Sequence, residues 1–463
     1  YDNTRRDSCR IRALPMDVSH ILDPLNDAQR QAVTAPLAPT LVLAGAGSGK
    51  TRVLTHRVEW LVQVEGVSPH GILAVTFTNK AAGEMRHRIE TQLGLPSAPL
   101  WIGTFHGICH RLLRMHWREA GLPQGFQILD GEDQQRLVKK IIRGLNLDEA
   151  RWVLKEVTWF INAQKDEGRR AAHIEAWGDH YLNTMLVLYR GYEQACERGG
   201  MVDFAELLLR SHELWLKQPA LLAHYQQRFR HILVDEFQDT NTIQYAWLRV
   251  LAGKSARVTA VGDDDQSIYG WRGAKIENIH QFQRDFDDTR IVRLEQNYRS
   301  TSVILDAANA VIAHNQGRFG KNLWTSGEAG EPITLYAAFN EQDEARFIVD
   351  HIQRWVADGH PRADAAILYR SNAQSRVLEE ALLRAGIPYR VYGGQRFYER
   401  LEIKNALAYL RLITSRDDDA AFERVVNTPT RGIGSATVDS VRERARERGV
   451  SLWAAAKAVA NRL

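Results

Sequence analysis

The chain has 463 residues, of which 44% are hydrophobic and 25% are charged, with a formal net charge of +4. At roughly 100–200 residues per domain, this length predicts about three or four domains and excludes a single small core. No apolar run approaches the ~20 residues that cross a bilayer, which argues against a membrane partner. The slight excess of basic residues permits a nucleic-acid partner but does not require one.

The cysteines and the N-terminus give weaker signals. Cys9, Cys109 and Cys196 are far apart and form no CxxC pair, which favours free thiols in the cytoplasm over a zinc site or disulfides. Residues 1–15 are polar and Arg-rich and precede Met16, a more natural start. We expect them to form a disordered extension that is not a secretory signal.

Short apolar runs rich in β-branched residues recur along the chain and end in polar or Gly-rich turns. Because most are followed by a helical pattern, they predict an α/β fold with parallel sheets covered by helices on both faces. A second group of runs predicts a second unit of the same kind. The first group is 40–44, 72–78, 100–104, 232–234, 258–261 and 291–294, and the second is 333–338, 365–369 and 389–392.

Two stretches lack strand signals and have helical periodicity instead. Between Phe105 and Arg230 the pattern is helical, as in residues 132–145 and 204–216, which predicts an all-helical insertion in the first unit. From Glu399 onward the chain is again helical and charged, which predicts a second insertion.

A glycine-rich loop follows the first apolar run and precedes a helical stretch from Arg52. Its glycines let backbone N–H groups surround phosphate oxygens, and the helix points its N-terminus at the anion. Lys50 is expected to reach the β and γ phosphates and the Thr51 hydroxyl to bind Mg²⁺, so the loop predicts ATP and Mg²⁺ as ligands. The loop consists of Ala44, Gly45, Ala46, Gly47, Ser48, Gly49, Lys50 and Thr51.

An acidic pair, Asp235 and Glu236, ends the apolar run from His231. A carboxylate at the C-terminal edge of a strand can hold Mg²⁺, and its neighbour can polarise the attacking water. We assign Asp235 to the metal and Glu236 to the general base. Alone, such a pair is more typical of a solvated turn, but the phosphate loop favours the catalytic interpretation.

The segment from Val261 to Gly273 mixes acidic, amide and aromatic residues after another apolar run. Exposed Tyr269 and Trp271 beside Arg272 suit base stacking with phosphate contact, as in proteins that bind single strands. Gln266 can hydrogen-bond the γ phosphate or its water. The alternative is that Tyr269 and Trp271 are core aromatics.

Taken in order, these motifs resemble the superfamily 1 DNA helicases of the UvrD/Rep/PcrA group, from Met16 to the end of the chain. In that group an alanine is usual at the first position of the phosphate loop, as Ala44 is here. The matching blocks are LNDAQR at 25–30, AGAGSGKT at 44–51, AVTFTNKAA at 74–82, GTFH at 103–106, VDEFQD at 234–239, the segment 261–274 and LEQNYRS at 294–300.

The resemblance implies roles for single residues. Gln29 reads adenine, Tyr298 stacks on it, and Arg52 lies near the nucleotide. Arg299 touches the γ phosphate, and Arg272 links the DNA path to the ATP site. The implied catalytic set is Lys50, Asp235, Glu236, Gln266 and Arg299, and the implied single-strand path is Phe77, His106, Tyr269 and Trp271.

The resemblance also implies a layout of RecA-like P-loop NTPase sheets with two inserted helical domains. Within the second insertion, Thr430 to Ser435 resembles an element that grips the duplex backbone, where Gly432 and Gly434 let N–H groups approach phosphates. A plain turn is the alternative. The implied domains are 1A at 16–104 and 230–295, 1B at 105–229, 2A at 296–392 and the start of 2B at 393–463.

For function, the resemblance implies an ATP-dependent 3′-to-5′ DNA helicase of nucleotide excision and mismatch repair. Its partners would be single-stranded DNA, junctions of single- and double-stranded DNA, and repair proteins. Two later motifs of the group, one carrying an arginine finger, do not occur in this sequence. Because losing such a finger can slow phosphoryl transfer by about 10³–10⁵-fold, the alternative is a fragment that binds ATP and DNA without unwinding.

Overall fold

The computed structural model describes residues 17–94, 100–392 and 401–460. The chain divides into two compact units, the first ending at Glu331 and the second beginning at Pro332. The expected extension at 1–15 lies outside the described residues. Within the described ranges, every helix is too short or too polar to cross a membrane.

A six-stranded parallel sheet forms the centre of the first unit. All five residues of the strand that leads into the phosphate loop are buried, as expected for a parallel sheet covered on both faces. The strands are β1 (Thr40–Ala44), β2 (Ile72–Thr76), β3 (Trp101–Thr104), β6 (His231–Val234), β7 (Arg257–Gly262) and β8 (Arg290–Leu294), with β4 and β5 elsewhere. Their order is β3-β2-β6-β7-β1-β8, which confirms the α/β class.

Helices cover both faces of this sheet. Side chains alternate along each strand, so apolar residues point to both faces and each face needs a cover. Leu41 and Leu43 enter one hydrophobic cluster, whereas Val42 and Ala44 enter a second cluster on the other face. The helices are α1 (Ser19–Leu22), α2 (Asp27–Val33), α3 (Lys50–Gln63), α4 (Asn79–Leu93), α5 (Phe105–Met115), α6 (Gly131–Gly144), α7 (Leu154–Asp166), α8 (His180–Gly199), α9 (Phe204–Lys217), α10 (Pro219–Arg228), α11 (Thr242–Ala252), α12 (Glu277–Asp285) and α13 (Ser302–Ile312).

The insertion between β3 and β6 is helical, as predicted, but it is not all-helical. Strands β4 (Gln127–Ile128) and β5 (Met201–Val202) pair in parallel and form a separate two-stranded sheet. The prediction of an insertion without strands was therefore wrong in this detail. Strands of two residues are too short to leave an alternating pattern in the sequence.

The second unit contains helices but no β-strand among its described residues. The strands expected at 333–338, 365–369 and 389–392 are not formed there, and Leu335 and Leu368 are 96% and 93% exposed. An apolar run becomes a strand only when a neighbour completes its backbone hydrogen bonds. The helices are α14 (Glu341–Ala357), α15 (Ser375–Arg384), α16 (Leu401–Thr414), α17 (Asp419–Val425), α18 (Ser435–Arg448) and α19 (Leu452–Ala460).

The predicted domain assignment is not tested by this division and stays a prediction. Residues 296–331, assigned to domain 2A from the resemblance, fall within the first compact unit. Contacts with the phosphate loop hold them there, such as the hydrogen bond from Asn297 Nδ2 to the carbonyl oxygen of Ala46. Within the stretch, a bridge joins Gln296 to Trp324. From Leu401 onward the second unit is helical, and α16 to α19 share a small core.

Candidate functional site

The phosphate loop joins β1 to α3 in a conformation that needs glycine. Gly47 and Gly49 have φ angles of +66° and +89°, which other residues rarely adopt. Gly49 caps α3 without a side-chain hydrogen bond, and the helix begins at Lys50. The first N–H groups of α3 are therefore left for an anion at its N-terminus.

Neighbouring side chains enclose this loop so tightly that a methyl group would not fit. A Cβ on Gly45 would lie 2.1 Å from Cδ2 of Leu323, and one on Gly47 would lie 2.5 Å from Nδ2 of Asn297. Gln29 is buried, and its Nε2 donates to the carbonyl oxygen of Ser48 at 2.8 Å. The Gln29 amide thus supports the loop, while its adenine-reading role stays a prediction.

Tyr298 and Arg299 lie beside the loop, although they are distant in sequence. The Tyr298 N–H donates to the carbonyl oxygen of Gly47 at 3.0 Å, and its half-exposed ring is held by Asn26, whose Nδ2 donates to the hydroxyl at 2.6 Å. The Cβ of Arg299 lies 2.9 Å from the position of a Cβ on Gly47. Arg52 is exposed on the first turn of α3. The tertiary structure thus brings these predicted nucleotide residues to one place.

The acidic pair lies at the carboxyl end of β6. Asp235 is only 5% exposed, and burial, followed by the charge of Glu236, raises its pKa to about 7. Lys50 Nζ lies 3.9 Å from Glu236 Oε2, so the loop and the pair face each other. The Thr51 hydroxyl and the Asp235 carboxylate are oxygen donors of the kind that Mg²⁺ prefers, and a buried carboxylate is stabilised by such a cation. The residues therefore fit this metal.

Glu236 has a strained backbone and a fixed side chain. Its φ of +50° is unusual for a residue other than glycine, and such strain concentrates at functional sites. Gln238 Nε2 donates to Glu236 Oε2 at 2.9 Å, and Gln238 Oε1 accepts from the Asp263 N–H at 2.9 Å. Gln238 was missed as a site residue, although it stands inside the VDEFQD block.

Three of the residues predicted to line the single-strand path, Phe77, Tyr269 and Trp271, lie next to one another and are here called the aromatic stack, with the Trp271 ring tilted by 54° from that of Tyr269. The rings of Phe77 and Tyr269 lie 5.2 Å apart at 22°, and Trp271 lies 6.2 Å from Tyr269. Trp271 is 70% exposed, which excludes the alternative of a core residue. The Arg272 guanidinium lies 4.7 Å from the Trp271 ring and 5.2 Å from the Tyr269 ring. This cation–π contact fixes Arg272 at the stack, while its link to the ATP site stays a prediction.

His106 lies at the start of α5, and burial lowers its pKa. Its ring contacts the exposed ring of Phe204 edge-on, with centroids 6.2 Å apart. Phe204 was missed by the sequence analysis. An apolar residue just after the helix-capping Asp203 was the available signal, because a first-turn position is commonly exposed.

The Gln266 side chain is turned toward its own segment. Its Nε2 donates to Oδ2 of Asp263, and Asp263 in turn is linked through Gln238 to Glu236. Within the described ranges, no hydrogen bond joins the Gln266 side chain to Asp235 or Glu236. Its γ-phosphate role stays a prediction.

Two protein-family models match the chain. The UvrD/REP helicase N-terminal domain matches residues 25–287, and the UvrD-like helicase C-terminal domain matches residues 292–460. The chain belongs to the UvrD/REP helicase family.

Relatives within the UvrD/REP helicase family are similar over nearly the whole chain. DNA helicase II of Escherichia coli (strain K12) is 63% identical over 442 residues, which are 96% of this chain and 61% of the relative. DNA helicase II of Haemophilus influenzae is 60% identical over 95% of the chain, and ATP-dependent DNA helicase PcrA of Staphylococcus aureus (strain Mu50) is 42% identical over 94%. The chain spans about three fifths of the length of these relatives, at 61%, 61% and 60%.

The glycines predicted to approach DNA lie in the second unit, within the part matched by the UvrD-like C-terminal domain. Gly432 has a φ of +74°, whereas Gly434 has an ordinary φ of −76° and caps α18 without a side-chain hydrogen bond. A Cβ on either glycine would meet nothing within 4 Å. The local space therefore suits a backbone phosphate, but an exposed turn would have the same geometry.

Proposed function

We propose that this chain is an ATP-dependent 3′-to-5′ DNA helicase that acts in nucleotide excision and mismatch repair. One observation carries the proposal. Gln238 contacts Glu236 on the nucleotide side and Asp263 on the other, and Asp263 begins the segment that carries Tyr269 and Trp271. A nucleotide site and a stacking site that share one short chain of contacts are what a translocating motor requires.

On the nucleotide side, Lys50 and Arg299 bind the phosphates and Glu236 accepts a proton from the attacking water. Thr51 and Asp235 would hold Mg²⁺, which would supply positive charge that neutralises the transferring phosphoryl group. Lys50 Nζ lies 3.9 Å from Glu236 Oε2, so the lysine that binds phosphate is next to the proposed general base. Gln266 reaches the γ phosphate only after its bond with Asp263 is released.

On the DNA side, single-stranded bases stack on the exposed rings. Base–aromatic stacking contributes about 1–3 kcal/mol per base and tolerates any sequence, as a translocating enzyme needs. The Phe77–Tyr269 pair fixes the ring plane, and Trp271 presents a free face. Arg272 adds a positive charge for the strand backbone.

The finer parts of the proposal rest on family resemblance. These are the direction, the repair role, binding at single- and double-strand junctions through Gly432 and Gly434, and repair proteins as partners. A cytoplasmic place of action is consistent with the free, buried thiols of Cys109 and Cys196, since free thiols are typical of reducing compartments.

The first test is DNA-stimulated ATP hydrolysis by the chain. We expect oligothymidylate with Mg²⁺ to raise the hydrolysis rate well above the basal rate. A chain that binds neither ATP nor single-stranded DNA would overturn the proposal.

A second candidate is a chain that binds ATP and DNA without unwinding. It is favoured by the span of about three fifths of the relatives' length. Strand separation of a duplex with either a 3′ or a 5′ single-stranded tail distinguishes the two. Unwinding only of the 3′-tailed duplex supports the helicase and its direction, and binding without separation supports the second candidate.

A further inference from the structure

Three consecutive carboxylates, Asp263, Asp264 and Asp265, lie just before the aromatic stack. One oxygen from each lies within 4.8 Å of the others, a spacing that suits a metal ion. The chain places its own cation there. Lys321 Nζ lies 2.7 Å from Asp263 Oδ1 and 2.9 Å from Asp265 Oδ2, and it also pairs with Asp264. The ammonium therefore takes the position that a cation would otherwise fill.

The ion pairs between Lys321 and the carboxylates lie in the protein interior. Lys321 is buried, as are Asp263 and Asp264. A buried charge is costly unless it is paired, so each carboxylate depends on the lysine and the lysine depends on them. Because Lys321 is 56 to 58 residues away in sequence, no local pattern reveals this arrangement.

Two neighbours of Lys321 in sequence, Arg318 and Phe319, make further contacts with the carboxylates. Arg318 pairs with both oxygens of Asp265, through Nε at 2.7 Å and Nη2 at 2.8 Å. The Phe319 N–H donates to Asp264 Oδ2 at 2.9 Å, and the Phe319 ring stacks on His280 with centroids 4.4 Å apart. A bidentate pair restricts geometry more than a point charge does, so the segment has a defined position.

The other end of the segment lies against the phosphate loop. Leu323 occupies the space beside Gly45, where a Cβ would lie 2.1 Å from Cδ2 of Leu323. The Trp324 carbonyl oxygen accepts from the Asn297 N–H at 2.7 Å, and Asn297 Nδ2 donates to the carbonyl oxygen of Ala46 at 2.6 Å. Residues 318–324, here called the bridging segment, thus contact the acidic turn at one end and the loop at the other.

We propose that Lys321 is a positioning residue, an internal cation through which the bridging segment couples DNA on the aromatic stack to nucleotide in the phosphate loop. The inference rests on the proposed function. A base that stacks on Tyr269 or Trp271 displaces the turn that holds the three carboxylates. The carboxylates carry Lys321 with them, and Leu323, two residues on, transmits the shift to Gly45.

Coupling between two ligands is a measurable free energy, and it acts equally in both directions. The test measures the affinity of labelled oligothymidylate with and without Mg²⁺ and a non-hydrolysable ATP analogue. We expect the wild-type chain to change its DNA affinity by about 5-fold or more when the analogue is present. We expect Lys321→Ala to reduce this ratio to near one while each ligand alone binds within about threefold of wild type.

Two variants serve as controls. Lys321→Arg keeps the charge and is expected to restore most of the ratio, which a merely structural loss would not allow. Lys217→Ala removes an exposed lysine of α9 and is expected to leave the ratio unchanged. If Lys321→Ala does not fold, Arg318→Ala leaves Lys321 in place and releases the mostly buried pair with Asp265 and the hydrogen bond to the Lys321 carbonyl oxygen. It is expected to reduce the ratio partly.

A separate measurement tests the internal cation without nucleotide or DNA. Electron paramagnetic resonance counts the Mn²⁺ ions that each variant binds. Lys321→Ala is expected to bind one more Mn²⁺ than wild type, because three carboxylates lose their cation, and Lys321→Arg is expected to bind no more than wild type. Equal counts in all three proteins would overturn the internal-cation assignment.

The outcomes separate this inference from the proposed function. A wild-type chain that binds neither nucleotide nor single-stranded DNA overturns the proposed function, and the Mn²⁺ count still tests Lys321. A wild-type chain that binds both without coupling, or a Lys321→Ala variant that keeps the full ratio, overturns the bridging role alone.

Discussion

The phosphate loop follows β1, and the segment that carries Tyr269 and Trp271, here called the aromatic turn, follows β7. The two strands pair side by side, yet the loop and the turn are built in different ways. The loop presents backbone groups, and Gln29 and Asn297 enclose it. The turn presents the exposed side chain of Trp271. A phosphate group always has the same shape, so backbone N–H groups in fixed positions bind it well. Successive bases differ, so they require a surface that accepts any of them.

This difference also predicts how far two binding events are independent of each other. They are nucleotide binding at the phosphate loop, here called the nucleotide end, and DNA binding at the aromatic turn, here called the aromatic end. When the other ligand is absent, substitutions at the nucleotide end should change nucleotide binding or basal hydrolysis and leave DNA affinity intact, and the reverse should hold at the aromatic end. Contacts through Gln238 and Lys321 are the routes by which this independence would fail.

The largest expected effect is that of Glu236→Gln. Removing the general base should slow ATP hydrolysis by about 10²–10⁴-fold, because proton transfer from the attacking water is lost. Single-turnover hydrolysis measures the rate, and nucleotide and DNA affinity should be unchanged. Glu277→Gln, on the exposed first turn of α12, is the matched control. An equal loss in both variants would contradict the assignment.

Lys50→Ala tests nucleotide binding by the phosphate loop. Loss of a charge-assisted contact with phosphate should weaken Mg²⁺–ATP binding by about 2–3 kcal/mol, or roughly 100-fold. Fluorescent nucleotide titration measures it, with Lys217→Ala as a control. If the variant still binds Mg²⁺–ATP tightly, the phosphate-loop assignment is wrong. If it also loses affinity for DNA, the nucleotide end and the aromatic end are not independent.

Trp271→Ala tests the aromatic end. Removal of one stacking platform should weaken oligothymidylate binding by about 1–2 kcal/mol, or roughly 10-fold, with unchanged nucleotide affinity. Fluorescence anisotropy measures the affinity. Trp177→Ala, which removes an exposed tryptophan between α7 and α8, should have no effect on it. Identical behaviour of the two variants would argue against base stacking at the turn.

The last prediction concerns stability and pH rather than binding or hydrolysis. Burial raises the pKa of Asp235 to about 7 from its ordinary 3.8, so the folded state keeps a proton that the unfolded state loses between these values. Stability without nucleotide should therefore fall as pH rises from about 4 through about 7. Asp239, whose pKa burial also raises to about 7, adds to the same trend.

Asp235→Asn should remove its share of that pH dependence and raise the free energy of unfolding near pH 8 by about 1–3 kcal/mol. Urea unfolding at low and high pH measures this. Mg²⁺–ATP should stabilise the wild type more than the variant, because the metal favours the ionised carboxylate. An unchanged pH profile in the variant would assign the trend to Asp239 and other acids.

Much of the nucleotide end was predictable from sequence. Gly47, Gly49 and Lys50 act within one turn between a strand and a helix, so their spacing alone fixes what they can do. The strands of the first sheet were predicted closely, because burial on both faces leaves continuous apolar runs. The same apolar signal at 333–338 did not produce a strand, since pairing depends on a partner that sequence pattern does not specify.

Tertiary structure decided the rest. Whether Trp271 is buried or exposed depends on what packs around β7, and only the fold shows its free face beside Tyr269. The spacing of the Asp263–Asp265 carboxylates would suit a metal ion, but the fold places Lys321 among them. Local sequence determines what a loop can bind through its own backbone. Long-range packing determines which charges are already neutralised, because a counter-ion can come from any part of the chain.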